Sequence, residues 1–347
     1  MRSIFTLFLL TFLGVFTMQG QKVVALHSPT NGVEFFESDI AFQEAYNAAV
    51  AGDTIYLSGG THFPPTLVDK QLTIFGTGHN PDATSATFAT LISGNFALGD
   101  NADGFYMEGV EIGGSLYVGN ATNVPVDNVT IKRCKWTSLY GQGDGSTPSL
   151  NNVFIENVIG SIYDIRNMRS CTFMNNILEG TLSYNLISLS FINNVFNYSY
   201  PGSSSAQVIG YANACLFKNN IFLQENNDIC EGTGSSTWIN NIFCTSTTNP
   251  SLGLDPTLVN NYFMSRANVL VNQTGTTYDY THDYHLQATA AANLGDDGTE
   301  TGVYGGFYPW KDYSIPINPH ISSKTISGAT DENGFIQIDI NVHAQDN

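Results

Sequence analysis

A six-residue frame, Phe-x-Asn-Asn-Ile-Phe, returns down the middle of this chain. It reads Phe173-Met-Asn175-Asn176-Ile-Leu178, Phe191-Ile-Asn193-Asn194-Val-Phe196 and Phe217-Lys-Asn219-Asn220-Ile-Phe222. It continues as Trp238-Ile-Asn240-Asn241-Ile-Phe243 and Leu258-Val-Asn260-Asn261-Tyr-Phe263. The steps from Asn176 to Asn194, Asn220, Asn241 and Asn261 are 18, 26, 21 and 20 positions. A period near 20 residues is the mark of one structural unit copied along an axis.

The frame extends upstream through Phe154-Ile-Glu156-Asn157-Val-Ile159, Ile131-Lys-Arg133-Cys134-Lys-Trp136 and, more weakly, Tyr106-Met-Glu108-Gly109-Val-Glu111. Tyr106, Ile131, Phe154, Phe173, Phe191, Phe217, Trp238 and Leu258 then form one column. Leu178, Phe196, Phe222, Phe243 and Phe263 form another. Stacked strands lie about 4.8 Å apart, so equivalent positions in successive coils touch. Large rings stacked that way fill a core. Asparagine tolerates the left-handed backbone and so turns the chain between two short strands. Stacked amides also donate to one neighbour and accept from the other, so Asn176, Asn194, Asn220, Asn241 and Asn261 are expected to form a buried ladder. A leucine-rich repeat lacks its Leu-x-x-Leu-x-Leu frame here, and a propeller lacks its blade length and signature. The fold class expected is all-β: a right-handed parallel β-helix of roughly ten coils.

Composition fits this reading. The 347 residues carry 12 Lys+Arg against 30 Asp+Glu, a net charge of −18, and only 12% are charged. Asn, Ser, Thr and Gly are left to make the polar turns. The negative charge argues against nucleic acid and anionic lipid as partners. Residues 1–20 read as a secretory signal, with Arg2 as the charged start, Ile4 to Phe16 as the apolar run and small residues near Gly20 for cleavage. A secreted, periplasmic or cell-surface location follows, with no membrane span in the mature chain and a monomer expected. Cys134, Cys171, Cys215, Cys230 and Cys244 are odd in number and lack metal-type spacing. Cys171, Leu189 and Cys215 share one phase of the repeat, so these thiols are expected in the core.

Open solenoid ends recruit other strands, so caps are expected. Residues 38–51 read as a capping helix, with Phe42, Ala45, Ala49 and Val50 on its inner face, Ser38 as N-cap and Gly52 beyond its end. A strand at Asp53-Thr-Ile-Tyr-Leu57 and a Gly59-Gly60 turn follow. The run from Ala41 through Leu57 resembles the capping helix and first strand of the pectate-lyase-like right-handed parallel β-helix superfamily. Leu72-Thr-Ile-Phe-Gly76-Thr-Gly78 is similar to its second coil. Asp283-Tyr-His-Leu286 through Asn293-Leu-Gly295 and Gly302-Val-Tyr-Gly-Gly306 resemble the closing coil of secreted Bacteroidetes members of unassigned function. This chain carries Ala290-Ala291-Ala292 where those commonly carry Ser-Pro-Ala. The resemblance covers residues 34–310, with 283–306 as closing coil, and implies the fold more than an activity. Residues 311–347 read as a linker with Pro316 and Pro319, then a β-tail turning at Asn333-Gly334 and packing on the C-terminal end of the solenoid.

The enzymes that this fold resembles are polysaccharide lyases and glycoside hydrolases. A lyase needs acidic ligands for calcium and a Lys or Arg base. Lys132, Arg133 and Lys135 lie in one coil and Arg166 and Arg169 one or two coils later. The best lyase-like set is Arg166, Arg169, Lys135 and Asp164, with Glu156 nearby, and calcium is expected only on that reading. A hydrolase needs two flanking carboxylates, and the Asn-Thr-Asp, Asp-Asp, Gly-His-Gly pattern is missing. Asp296-Asp297, Asp100, Asp103 and Asp144 read as turn residues. His282 and His285 flank Asp283 but fall on strand and turn, so no metal and no cofactor is expected. Tyr140, Tyr163, Tyr184, Tyr198, Tyr200 and Tyr211 are candidates for sugar stacking. The sequence therefore favours a non-catalytic glycan-binding or adhesion protein with a polysaccharide partner. The alternatives are a divergent lyase acting by β-elimination on a uronic-acid polymer and a purely structural surface component.

Overall fold

The computed structural model describes residues 22–198, 207–232, 234–245, 248–292 and 294–344. The expected signal segment and Tyr200 lie outside them. The chain winds into a right-handed parallel β-solenoid of about nine turns. One sheet runs in steady order from Thr54–Leu57 through Thr73–Phe75, Tyr106–Glu108, Thr130–Lys132 and onward to Thr257–Val259. A second sheet forms the opposite wall, and both line one apolar core.

The repeat frame sets the register. Ile131 pairs with Phe154, and the column continues through Phe173, Phe191, Phe217, Trp238 and Leu258. Ring centroids are 4.7 Å apart between Phe154 and Phe173 and 4.1 Å between Phe217 and Trp238, both nearly parallel. At the upstream end the sequence register is one residue off. Met107, not Tyr106, pairs with Ile131 and is buried, while Tyr106 points outward. A one-residue slip exchanges the two faces of a strand, and Tyr106 resembled the aromatic column more than Met107 did.

The two asparagines of each frame do different work. The first of each pair, Asn175, Asn193, Asn219, Asn240 and Asn260, has φ between 48° and 56°. Arg133, Glu156 and Gly109 occupy this left-handed corner in earlier coils. The second asparagine builds the ladder. Asn176 Nδ2 donates to Asn194 Oδ1 at 3.0 Å and to Phe154 O at 2.9 Å, and Asn194 Oδ1 also accepts from the Asn176 backbone N–H. The pattern repeats through Asn220, Asn241 and Asn261 and begins one coil earlier, at Asn157.

The N-terminal cap is shorter than expected, Ala41–Ala48 rather than 38–51. Ile40 holds the N-cap position, while Ser38 Oγ bonds Ile40 N–H and Glu44. Phe42, Ala45 and Ala49 are buried but Val50 is exposed, because the chain has already turned extended at Ala49.

The C-terminal third departs most from the sequence reading. Residues 283–306 do not close the last coil. Asp283–Leu286 pairs antiparallel with Leu270–Asn272, and the chain then runs back along the solenoid as a strap. Its course is marked by Asp296 on Asn219, Gly302 O on Asn193, Val303 O and Gly305 O on Asn175, and Ile315 O on Arg133. Asn175, Asn193 and Asn219 thus serve both as corners and as donors to the strap. The fifth frame position points outward, and in five successive coils it is Val158, Ile177, Val195, Ile221 and Ile242. Val269, Leu270, Tyr284, Leu286, Val303 and Trp310 bury that apolar column in a second core. Pro316 and Ile315 lie against the solenoid at Gly109 and Gly78, so this stretch is docked chain rather than free linker. The tail hairpin, His320–Ile326 with Ile338–His343, pairs only with itself among the described residues and is largely exposed. It leaves the strap near Glu108, since Ile317 N–H donates there, and so does not cover the C-terminal end. That end keeps Leu258 53% exposed.

All five cysteines are buried and free. Burial pushes Cys171, Cys230 and Cys244 up to about 12 and Cys215 to about 11. Since the thiolate is the reactive form, the native protein at about pH 8 should leave all five unmodified by a thiol reagent, and the unfolded chain should react at each. Fast labelling of any one in the native state would contradict this packing.

Candidate functional site

The outer face of the second sheet carries a row of tyrosines, one per coil. Ser115–Val118 and Lys135–Tyr140 pair in register, so Tyr117 sits directly beside Tyr140. Leu116, Leu139, Ile162 and Leu182 alternate inward and hold the strands to the core. Toward the next coil the register shifts between Leu139 and Tyr140, which puts Tyr140 opposite Asp164, and it shifts again between Leu182 and Asn185. These irregularities insert Tyr163 and Tyr184 into the row, and Tyr211 follows opposite Asn185. Tyr184 adopts φ 63°, a left-handed backbone unusual for a bulky residue.

Centroid spacings are 4.8 Å for Tyr117–Tyr140, 5.4 Å for Tyr140–Tyr163 and 5.6 Å for Tyr163–Tyr184. The first pair is stacked at 12°, and the last is turned to 78°. The early rungs therefore offer edges and hydroxyls, and the later ones open ring faces. Tyr163, Tyr184 and Tyr211 are 46%, 43% and 42% exposed. Desolvation, then neighbouring tyrosines and Asp164, raise the Tyr140 hydroxyl above its ordinary range. A hydrogen bond with Tyr163 raises Tyr184.

Arg166 joins the row. Its Nε and Nη2 donate to the two oxygens of Asp164 at 3.0 and 2.9 Å, and its guanidinium lies 4.9 Å from the centre of the Tyr184 ring. Asp164 is largely buried, so the fork is held from below. The pair raises Arg166 further above its usual range, away from the behaviour of a general base. Arg169 turns back to donate to Arg166 O and Met168 O.

The other candidates fall elsewhere. Arg133 is 0% exposed between Glu108 and Glu156 under the strap, and Lys132 approaches Glu156 there. Glu156 is therefore not part of the Arg166 set. Lys135 pairs with Glu111 at 3.3 Å and lies over Tyr280. The basic residues of the two coils thus do not converge on one face. Asp296 is held by Lys218 at 2.7 Å and by Asn219, and Asp297 accepts from Thr299. Asp103 accepts from Asp127 N–H, Asp100 from Asn101, and Asp144 from Ser146 N–H. His282 contacts Tyr284, while His285 stacks on Tyr304 at 3.6 Å and faces Glu300. Among the described residues no group of three or more His, Cys, Asp or Glu is placed to hold a metal, and no helix is long and apolar enough to cross a membrane.

Tyr198 packs partly buried against the core instead of joining the row. Tyr117 belongs to it and was missed from the sequence, although Leu116-Tyr117 and Leu139-Tyr140 share an in–out pattern that marks it. The chain matches no family model, no curated protein and no solved structure.

Proposed function

We propose that this is a secreted or surface glycan-binding protein of the pectate-lyase-like β-helix type, and that it binds an extended polysaccharide along the tyrosine row. The observation that carries the reading is the run of ring contacts Tyr117, Tyr140, Tyr163 and Tyr184, with Tyr211 on the next strand and Arg166 held over Tyr184. The rungs repeat at 4.8 to 5.6 Å, so successive units of a polymer each meet a tyrosine, by edge and hydroxyl at the first rungs and by ring face at the later ones. Aromatic faces take the apolar side of a sugar ring, and the tyrosine hydroxyls and the guanidinium supply directional hydrogen bonds. A uniformly Ser/Thr/Asn face would instead favour a purely structural role. For β-elimination the base must give up its proton readily, and the Asp164 pair works against that for Arg166. Secretion rests on the character of residues 1–20.

The test is retention of the whole protein on a panel of immobilised polysaccharides. We expect specific retention of at least one polymer, weakened about tenfold in Tyr163→Ala, as for loss of one ring contact, with an unchanged melting temperature. Incubating the same polymers with calcium should give no growing absorbance near about 235 nm, the mark of a base acting at C5. Retention indifferent to Tyr163→Ala would remove the tyrosine row from the reading, and a growing absorbance would replace binding with catalysis.

A further inference from the structure

A cavity lies away from the tyrosine row, where the strap crosses the loop that precedes it. Its volume is about 180 Å³, and its lining includes Tyr278, Tyr284, Tyr304, Trp310, Asp283 and Asp312. That is below the roughly 300 Å³ lower bound of drug-sized pockets, so it suits one small group rather than a stretch of polymer.

The cavity is assembled from parts of the chain far apart in sequence and is held in shape. The Tyr280 hydroxyl donates to His79 O at 2.7 Å, and the His79 ring bonds back to the same hydroxyl at 3.0 Å. The Tyr280 proton is spent on His79 O, so the ring donates to that hydroxyl oxygen through Nδ1, and burial lowers the His79 pKa to about 3. Glu179 accepts from Tyr278 N–H, and Glu300 accepts from Leu286 N–H. Tyr304 donates to Asp312 at 2.7 Å, tying the two ends of the strap segment together.

The walls are aromatic and acidic, and the rings of His282 and His285 complete them, with His285 stacked on Tyr304. Tyr284 and Trp310 are buried aromatic surface, with Tyr278 packed edge-on to Trp310 and parallel to Tyr284. Asp283 and Asp312 each spend one oxygen on a neighbour, the His285 N–H and the Tyr304 hydroxyl. No Lys or Arg is among the described residues lining the cavity. Burial and then nearby carboxylates, Asp312 first for both Tyr278 and Tyr304, push these hydroxyls above their ordinary range. Lys135 reaches the Tyr280 ring but is paired with Glu111, so Asp283, Asp312 and the ring faces leave the space electron-rich and locally negative. Anions are repelled, and a neutral ligand gains nothing from the field. An ammonium group gains from both the ring faces and the carboxylates.

We infer that the cavity between Tyr278, Tyr284, Tyr304 and Trp310, rimmed by Asp283 and Asp312, binds a small organic ammonium group. Such a group is carried by an amino sugar of a glycan or by a free alkylammonium compound. The site is independent of the tyrosine row, so failure of one leaves the other standing.

The test is a titration of the full protein at about pH 7 with glucosamine, choline, glucose and glucuronate, followed by tryptophan emission and by calorimetry. Trp136 and Trp238 are buried in the solenoid core, so emission changes report Trp310. We expect saturable binding of glucosamine or choline, and none of glucose or glucuronate. Asp312→Asn and Asp283→Asn, which keep the acceptor oxygens, should each weaken binding about tenfold, as for loss of one charge-assisted contact. Tyr163→Ala should leave it unchanged. Tighter binding of glucosamine assigns the group to an amino sugar, and tighter binding of choline assigns it to a free quaternary ammonium. Glucose binding as tightly as glucosamine, binding indifferent to both Asp substitutions, or no binding by calorimetry would overturn the inference.

Discussion

Replacing Arg133 with methionine is expected to lower the unfolding free energy by about 3–5 kcal/mol, the usual cost of stripping one partner from a buried ion pair, and by less as the pH falls. Arg133 has no exposed surface. Its Nε donates to Glu156 at 2.6 Å, and its Nη1 donates to Glu108 at 3.1 Å and to the strap carbonyl of Ile315 at 3.2 Å. Methionine fills similar space but leaves two buried carboxylates facing each other, Glu108 with only the Tyr106 hydroxyl and the Ile317 N–H and Glu156 with Lys132, itself lowered by desolvation. Burial already outweighs the guanidinium and holds Glu156 above the usual carboxylate range. A raised folded pKa gives stability that is full below the unfolded value and lost as pH rises through the folded value. Without Arg133 the rise is larger, so the variant should recover part of its loss between about pH 7 and pH 5. Adding Glu156→Gln should also restore part of it at neutral pH. Urea unfolding at both pH values measures this. A loss below about 1 kcal/mol, the range of exposed pairs, or one that does not change with pH, would show that the cluster is not buried as described.

Asn220→Ala is expected to cost about 3–5 kcal/mol, because it orphans several buried groups at about 1–3 kcal/mol each. Asn220 Oδ1 accepts from the Asn194 N–H at 2.9 Å and from Asn194 Nδ2 at 3.0 Å. Its Nδ2 donates to Phe191 O and to Asn241 Oδ1. Alanine serves none of these, and the site is closed to solvent. Asn261 is the last rung, with no further amide to serve, and its bonds are only partly buried. Asn261→Ala also loses three bonds, but water can reach the groups left behind, so it should cost less, about 1–2 kcal/mol. Denaturation of the two variants side by side decides the point. Equal losses would mean that the amides act as separate turn residues rather than as a ladder.

Much of this was legible in the sequence, for a specific reason. Residues such as Phe173, Phe191 and Phe217 repeat at coil spacing, and each coil meets only its neighbours. A rule that holds between two coils holds for all. The ladder, the ring columns and the buried cysteines all follow that rule. Where the frame weakens, the reading weakens with it: the register at Tyr106 slipped by one, and the first rung at Asn157 was passed over. The outward column Val158, Ile177, Val195, Ile221 and Ile242 is plain in the repeat, yet an ordinary solenoid would expose it, and nothing local says what covers it.

The candidate site was half legible. Tyr140, Tyr163, Tyr184 and Tyr211 were named among six tyrosines, but which of the six face out depends on two register shifts that periodicity does not carry. The sequence by itself determined the solenoid, since its energetics are short-ranged between like coils and written many times over. Only the tertiary structure decided the strap, the buried Arg133 cluster and the aromatic cavity. Those rest on single contacts between segments as distant as Asn175 and Val303, or His79 and Tyr280, and a contact made once leaves no period to read.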